Sequence, residues 1–156
     1  MNPAPPAATL VLAWGNPSRG DDALGPLFAD AVQAWQLSDV ECLTDFQLQV
    51  EHALDLVGRQ RVLFVDAAIH NGAIEPPGFA VKRVGPRRDR SFSSHAMSPQ
   101  AVLQALVDTQ PHTPCPPAWL LTLHGHRWGL GDPVSARAHQ GLHNALAWAR
   151  RWLVSP

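Results

Sequence analysis

A strand, a tight loop and a helix follow one another directly near the start of this chain. Thr9–Trp14 is an apolar run typical of a buried strand. The loop after it contains four residues typical of turns: Gly15, Asn16, Pro17 and Gly20. Pro26 is tolerated only in a first helical turn, and apolar residues then recur at helical spacing. The sequence therefore predicts a helix over residues 22–35.

The same loop brings two adjacent carboxylates, Asp21 and Asp22, to the start of that helix. The helix macrodipole favours negative charge at this end, so both carboxylates should stay ionised. They are candidates to bind a cation or to polarise a reacting group. A phosphate site is not indicated, because an acidic pair would repel phosphate and the glycines do not match the dinucleotide-binding fingerprint.

The rest of the chain predicts an α/β fold. Further strands are predicted over residues 39–44, 61–65, 79–84 and 119–123, and further helices over residues 50–57, from Pro99 with Ser98 as the N-cap, and from Asp132 and Pro133 to about Trp152. The segment 67–78 is too short to hold a covering helix, so the fourth strand should run antiparallel. We expect a disordered lead-in over residues 1–8 and one three-layer domain over residues 9–156, with a mixed, mostly parallel sheet of about five strands flanked by helices.

Composition excludes several classes of protein. With 156 residues, 46% of them hydrophobic and 16% charged, the chain suits one globular domain. A net charge of −1 does not indicate the basic surface that binds nucleic acid. No apolar run approaches the roughly 20 residues that span a bilayer. Residues 1–8 lack the features of a signal peptide. The two cysteines, Cys42 and Cys115, have no metal-site spacing. We expect a reduced, cytoplasmic monomer without nucleic-acid or membrane partners.

Acidic side chains and a histidine are predicted to meet at one edge of the sheet. In open α/β sheets, ligands bind beyond the carboxyl ends of the parallel strands. Asp22 follows the first strand there, and Asp66 is predicted to be the last residue of the third. His95 lies in a loop that could span up to about 40 Å and so reach this edge, although an ordinary loop histidine is the alternative interpretation. Two carboxylates and an imidazole would suit nickel, zinc or iron, with positions left for water or substrate.

Other candidates carry less information. His124 and His126 flank Gly125 at the end of the fifth strand and could line the same pocket, whereas His139 and His143 share a helix face that we expect to be exposed. The sequence contains no G-x-S-x-G elbow, no H-E-x-x-H and no P-loop. Neither cysteine looks like an activated thiolate. A stand-alone hydrolase of small substrates is disfavoured, because no compact nucleophile and base is visible.

Taken together, these motifs resemble those of the nickel-iron hydrogenase maturation endopeptidases, over nearly the whole chain. The matching segments are Gly15-Asn16-Pro17-x-x-x-Asp21-Asp22-x-x-Gly25 after the first strand, Val65-Asp66-Ala67 after the third, and Ser94-His95 before the Ser98-Pro99 helix. The chain departs from the family pattern at Ala13, at Ala23 and over residues 46–51, where many members are rich in glycine. None of these departures changes a candidate ligand. They bear instead on which hydrogenase precursor the protein recognises.

The resemblance implies an endopeptidase that removes the C-terminal extension of a nickel-iron hydrogenase large-subunit precursor after nickel insertion. The ligand and catalytic roles proposed in the family map onto Asp22, Asp66 and His95, and Asp45 should lie near the pocket. No cofactor would be permanently bound, since the nickel belongs to the precursor and serves as the recognition element. Two alternatives stay open: a non-catalytic nickel-dependent accessory protein or chaperone for the same precursor, and a metal-independent protease on the same fold.

Overall fold

Five strands form one mixed sheet in the computed structural model, which describes residues 3–88 and 97–155. The strands are β1 (Thr9–Trp14), β2 (Val40–Asp45), β3 (Arg61–Ile69), β4 (Phe79–Val84) and β5 (Ala118–Gly125). Their order across the sheet is β2-β1-β3-β5-β4. Strands β2, β1, β3 and β5 pair in parallel, whereas β4 pairs antiparallel with β5. The predicted α/β fold with an antiparallel fourth strand is therefore confirmed.

Helices cover both faces of this sheet. The helices are α1 (Leu24–Ala34), α2 (Pro99–Thr109) and α3 (Ala136–Val154), with a short 3-10 turn at Gly20–Ala23 and a 3-10 helix at Val50–Leu56. Successive side chains of a strand point to opposite faces. On β3, Leu63 and Val65 accordingly belong to the core beneath α1 and α3, while Phe64 belongs to the core beneath α2. The three layers leave the carboxyl ends of the parallel strands open for a site.

The start of α2 matches the prediction. Ser98 is the N-cap, and its hydroxyl accepts a hydrogen bond from the backbone N–H of Ala101 at 3.1 Å. The backbone N–H of Met97 donates to the carbonyl of Leu48 at 3.4 Å. Leu48 lies just beyond the end of β2, so α2 begins at the carboxyl edge of the parallel strands.

The predicted start of α3 is wrong. The sequence predicts Asp132 and Pro133 as its cap and first residue, but the N-cap is Ser135, whose hydroxyl accepts a hydrogen bond from the N–H of Ala138 at 3.3 Å. The Asp132 carboxylate instead accepts from the N–H of Gly129 at 3.1 Å. Asp132 therefore closes a turn before the helix, and the segment between β5 and α3 is longer than expected.

The predicted end of β3 is also wrong. Asp66 was expected to be its last residue, but pairing with β5 continues as far as Ile69, which lies opposite Gly125. Asp66 therefore lies inside the strand, opposite Thr122. It shares a face of the sheet with Phe64, because the two residues are two positions apart.

Ala8 is hydrogen-bonded to the rest of the protein at the amino ends of the strands. It donates its N–H to Asp39 Oδ1 at 2.8 Å, and its carbonyl accepts from the N–H of Gln60 at 2.8 Å.

The division into a lead-in over residues 1–8 and a domain over residues 9–156 stays a prediction. Among the residues that the structure describes, no helix combines the length and the apolar character needed to cross a membrane.

Candidate functional site

The loop between β1 and α1 holds Asp22 at the carboxyl edge of the sheet. Oδ2 of Asp22 accepts a hydrogen bond from the backbone N–H of Asn16 at 2.8 Å. The side chain of Asn16 is itself tied into the loop, since its Oδ1 accepts from the N–H of Ser18 at 2.9 Å. Gly15 packs so closely on the backbone carbonyl of Asp22 that a Cβ at position 15 would overlap it. The half-buried carboxylate of Asp22 is thus fixed by the local chain.

Asp66 comes to the same place from β3. Its Oδ1 accepts a hydrogen bond from the N–H of Ala67 at 2.8 Å. Burial raises the pKa of Asp66 to about 7, and the negative charge of Asp22 adds to this rise, while hydrogen bonds from Ala67 and the Trp14 side chain act in the opposite direction. The two carboxylates are therefore close enough to repel each other. A cation bound between them would relieve this repulsion.

Asp21, the neighbour of Asp22, has a different role from the one that the sequence suggested. It is fully buried, and its Oδ2 accepts hydrogen bonds from the N–H groups of His126 at 2.8 Å and Arg127 at 3.0 Å. Ser135 donates its N–H to Oδ1 at 2.8 Å and its hydroxyl to Oδ2 at 3.0 Å. Burial opposes ionisation, but these hydrogen bonds hold the pKa of Asp21 below its ordinary value. Asp21 therefore ties the segment after β5 to the loop that carries Asp22 and is not available to a ligand.

Asp45 and His52 form a pair that the sequence did not reveal. Asp45 ends β2 opposite Trp14, and its Oδ2 lies 3.3 Å from Nε2 of His52. Nδ1 of His52 accepts the N–H of Gln49 at 2.8 Å, so a neutral His52 carries its proton on Nε2 and donates it to Asp45. Asp45 also lines a groove of about 320 Å³ together with Gly15. This groove adjoins the loop that carries Asp22.

Two further histidines stack at the end of β3 and β5. The rings of His70 and His124 have centroids 4.6 Å apart and planes 16° apart. Burial lowers the pKa of His124, and the neighbouring His70 lowers it further. His126 lies beyond them, with Nδ1 4.0 Å from Asp21 Oδ2, and lines a separate cavity. Sequence reasoning singled out His124 and His126 but missed His70, since only the pairing of β3 with β5 brings it to His124.

His95, the third predicted ligand, lies outside the described residues. Within residues 3–88 and 97–155, no three His, Cys, Asp or Glu side chains are grouped closely enough to hold a metal ion. Asp22 and Asp66 thus supply two oxygen-donor side chains there. The described chain resumes at Met97, on the edge of the sheet that carries both acids. The set of three ligands stays a prediction.

Neither cysteine is suited to act as a nucleophile. Burial raises the pKa of Cys42 to about 11, and the charges of Glu41 and Asp30 add to this effect. Burial also raises the pKa of Cys115. Because the thiolate is the nucleophilic form, both side chains are unreactive near neutral pH. A thiol nucleophile at this site is therefore not supported.

The fold is shared with solved structures of hydrogenase maturation proteases. The protease HycI from Thermococcus kodakarensis KOD1 superposes with a TM-score of 0.73 at 18% identity, covering 96% of this chain and 94% of that one. The endopeptidase HybD from E. coli gives 0.70 at 20% identity, covering 93% and 91%. HybD from Thermococcus kodakarensis gives 0.68 at 17% identity, covering 92% and 97%. No protein-family model and no curated protein matches the chain. The resemblance inferred from the motifs is thus confirmed at the level of the fold.

Proposed function

We propose that this protein is an endopeptidase that removes the C-terminal extension of a nickel-iron hydrogenase large-subunit precursor after nickel insertion. The observation that carries the proposal is the pairing of Asp22 with Asp66 at the open edge of a fold shared with HycI and HybD. We further propose that Asp22, Asp66 and His95 bind the nickel of the precursor. In this proposal the protein itself needs no permanently bound cofactor.

The electrostatics of the acidic pair support recognition of a metal-loaded substrate. With a pKa of about 7, Asp66 is close to half protonated at neutral pH when no cation is present. A divalent ion displaces this proton at small cost, but two carboxylates and one imidazole leave the coordination of a free ion incomplete, so a free ion gains little from the site. Nickel that is already bound to the precursor has ligands from the precursor, so the donors of this site are enough to complete its coordination. The acids would therefore favour the loaded over the empty precursor.

The chemical step follows from where the metal would lie. A cation held at Asp22 and Asp66 could polarise the carbonyl of the scissile peptide or lower the pKa of an attacking water. The buried thiols of Cys42 and Cys115 have no part in this scheme.

A cleavage assay tests the proposal directly. Nickel-loaded and nickel-free precursor are incubated with equal amounts of the protein, and the shortened product is followed by mass spectrometry. We expect cleavage of the loaded form alone, and loss of cleavage in Asp22→Asn and Asp66→Asn. Asp30→Asn, an exposed acid on α1, serves as the control and should cleave normally.

The other outcomes of this assay separate the alternatives. Nickel-dependent binding without a shortened product would identify an accessory protein or chaperone. Equal cleavage of both precursors would identify a metal-independent protease, and the acidic pair would then need another role.

We also propose that the protein acts in the cytoplasm as a monomer. Light scattering of the purified protein, alone and with precursor, would measure the oligomeric state.

A further inference from the structure

A second cavity, of about 470 Å³, opens at the carboxyl ends of β3 and β5. His70 and Asn71 line it where the chain leaves β3, His126 and Trp128 line it after β5, and Arg137 lines it from the first turn of α3. Asp66 precedes His70 by four positions on the same chain segment. At about 3.3 Å per extended residue, the backbone of His70 at the rim of the cavity lies about 13 Å from that of Asp66.

Every polar side chain in the lining of this cavity carries a hydrogen-bond donor, although Asn71 and a neutral histidine can also accept. Arg137 carries a full positive charge, and its Nη1 donates to the carbonyl of Ile74 at 3.3 Å, which anchors the guanidinium. His70, His126 and Asn71 add further N–H groups. None of the lining residues in the described chain is acidic. The cavity is therefore suited to a ligand that accepts hydrogen bonds and carries negative charge.

Trp128 forms part of the wall of this cavity. Its indole Nε1 is shielded from solvent and has no hydrogen-bond acceptor among residues 3–88 and 97–155. A ligand oxygen is as large as a water molecule and therefore does not reach this nitrogen either. The indole ring contributes a surface to the cavity, and its N–H reports on changes in that wall.

Asp21 lies 4.0 Å from Nδ1 of His126 and offsets part of the positive potential there, but it does not compete with a ligand for contact. It is fully buried, and its oxygens already accept hydrogen bonds from His126, Arg127 and Ser135. These bonds also fix the backbone just before Trp128. The wall of the cavity is thus organised before a ligand arrives, which lowers the entropic cost of binding.

We propose that this cavity binds a carboxylate of the protein substrate, about four extended residues from the bond that is cleaved. A carboxylate can pair with the Arg137 guanidinium in two parallel hydrogen bonds and can accept further hydrogen bonds from His70, Asn71 or His126. The carboxylate belongs either to an Asp or Glu side chain or to a chain terminus, which share this chemistry. That the ligand is part of a cleaved precursor rests on the proposed function, whereas carboxylate binding itself does not.

Binding is tested with three blocked tripeptides, independently of any cleavage. Acetyl-Ala-Glu-Ala-amide carries a side-chain carboxylate, acetyl-Ala-Ala-Ala a terminal one, and acetyl-Ala-Gln-Ala-amide none. The readout is the indole N–H resonance of Trp128, assigned with Trp128→Phe. We expect saturable shifts with one or both acidic peptides and none with the neutral peptide. The acidic peptide that binds more tightly identifies the source of the carboxylate.

Matched variants on α3 show whether the cavity is responsible. Arg137→Gln should weaken binding of the acidic peptide about tenfold, the effect of losing a charged hydrogen-bond pair. Arg151→Gln removes an exposed arginine from the last turn of the same helix and should leave binding unchanged. The inference is overturned by equal binding of the neutral peptide, by an equal loss in both variants, or by no saturable shift up to about 20 mM peptide, a range that covers millimolar affinity.

Cleavage of nickel-loaded precursor then separates this inference from the proposed function. Arg137→Gln should raise KM more than it lowers kcat, whereas Arg151→Gln should match the wild type. If the wild type cleaves and Arg137→Gln has an unaltered KM, the cavity does not contact substrate and the inference fails. If the acidic tripeptides bind but no precursor is cleaved, the proposed function fails and the carboxylate site stands.

Discussion

Replacing Asp66 by asparagine should stabilise the metal-free protein, and increasingly so as the pH rises. The amide keeps an oxygen for the N–H of Ala67, which Asp66 binds at 2.8 Å, and it nearly keeps the volume of the side chain. It cannot ionise, however, and so it avoids placing a second buried charge beside Asp22. The stability gained by the variant therefore measures how strongly the folded protein opposes ionisation of Asp66.

The magnitude follows from the raised pKa of Asp66, about 7 in the folded protein against an ordinary value of 3.8. Between these values the folded state holds a proton that the unfolded state has released. The free energy of unfolding of the wild type then falls with rising pH, by about 1.4 kcal/mol per pH unit. From about pH 5 to pH 7 the wild type should lose about 2–3 kcal/mol at this residue. The asparagine of the variant has no such proton to lose, and above the folded pKa the difference becomes constant.

Urea unfolding followed by tryptophan fluorescence, at about pH 5, 6, 7 and 8 with a chelator present, measures this difference. Asp30→Asn removes an exposed acid from α1 and controls for the change in net charge. We expect the free energies of Asp66→Asn and the wild type to diverge between about pH 5 and 7, while Asp30→Asn follows the wild type. Parallel curves for Asp66→Asn and the wild type would refute the reasoning, as would a less stable variant at the highest pH.

Three further predictions concern the rest of the site. Asp21→Asn should lower the free energy of unfolding by about 2–4 kcal/mol in the same urea assay, because an amide nitrogen would meet N–H donors, and the loss should shrink below about pH 4 as the wild-type carboxyl is protonated. Asp22→Ala and Asp66→Ala should abolish precursor cleavage while circular dichroism shows a retained fold, whereas Cys42→Ser and Cys115→Ser should cleave normally; a folded but inactive serine variant would revive a thiol mechanism. Purified protein should hold little nickel by elemental analysis, and calorimetry should show free Ni²⁺ binding with a Kd above about 1 μM, since three donors leave its coordination incomplete.

Local patterns were sufficient for the elements whose ends depend on neighbouring residues. The bounds of β1 and β4 match the predicted strands Thr9–Trp14 and Phe79–Val84. Ser98 caps α2 as expected, since a serine followed by proline satisfies the first helical turn without help from elsewhere. The rule that ligands bind at the carboxyl edge of parallel strands likewise placed Asp22 and Asp66 at one edge, where the structure has them.

Contacts between distant segments decided what the sequence could not. Asp132 and Ser135 are both good helix caps, and Ser135 is the one that also bonds to Asp21, 114 positions away. The end of β3 depends in the same way on its pairing with β5. The Asp45–His52 pair escaped notice because a 3-10 helix, rather than an α-helical spacing, brings the two side chains together. No local pattern carries such information.

The packing of Gly15 on the carbonyl of Asp22 limits how this protein could be re-engineered. A side chain at Gly15 would push the carbonyl, and with it the Asp22 carboxylate, away from its place beside Asp66. A Cβ at position 25 would likewise overlap the backbone carbonyl of Trp14. Between them, the side chains of residues 17–19 are exposed. A library built on those three positions could be selected for new precursors while Asp22 and Asp66 keep their places. The loop would then allow substrate specificity to change without altering the two carboxylates.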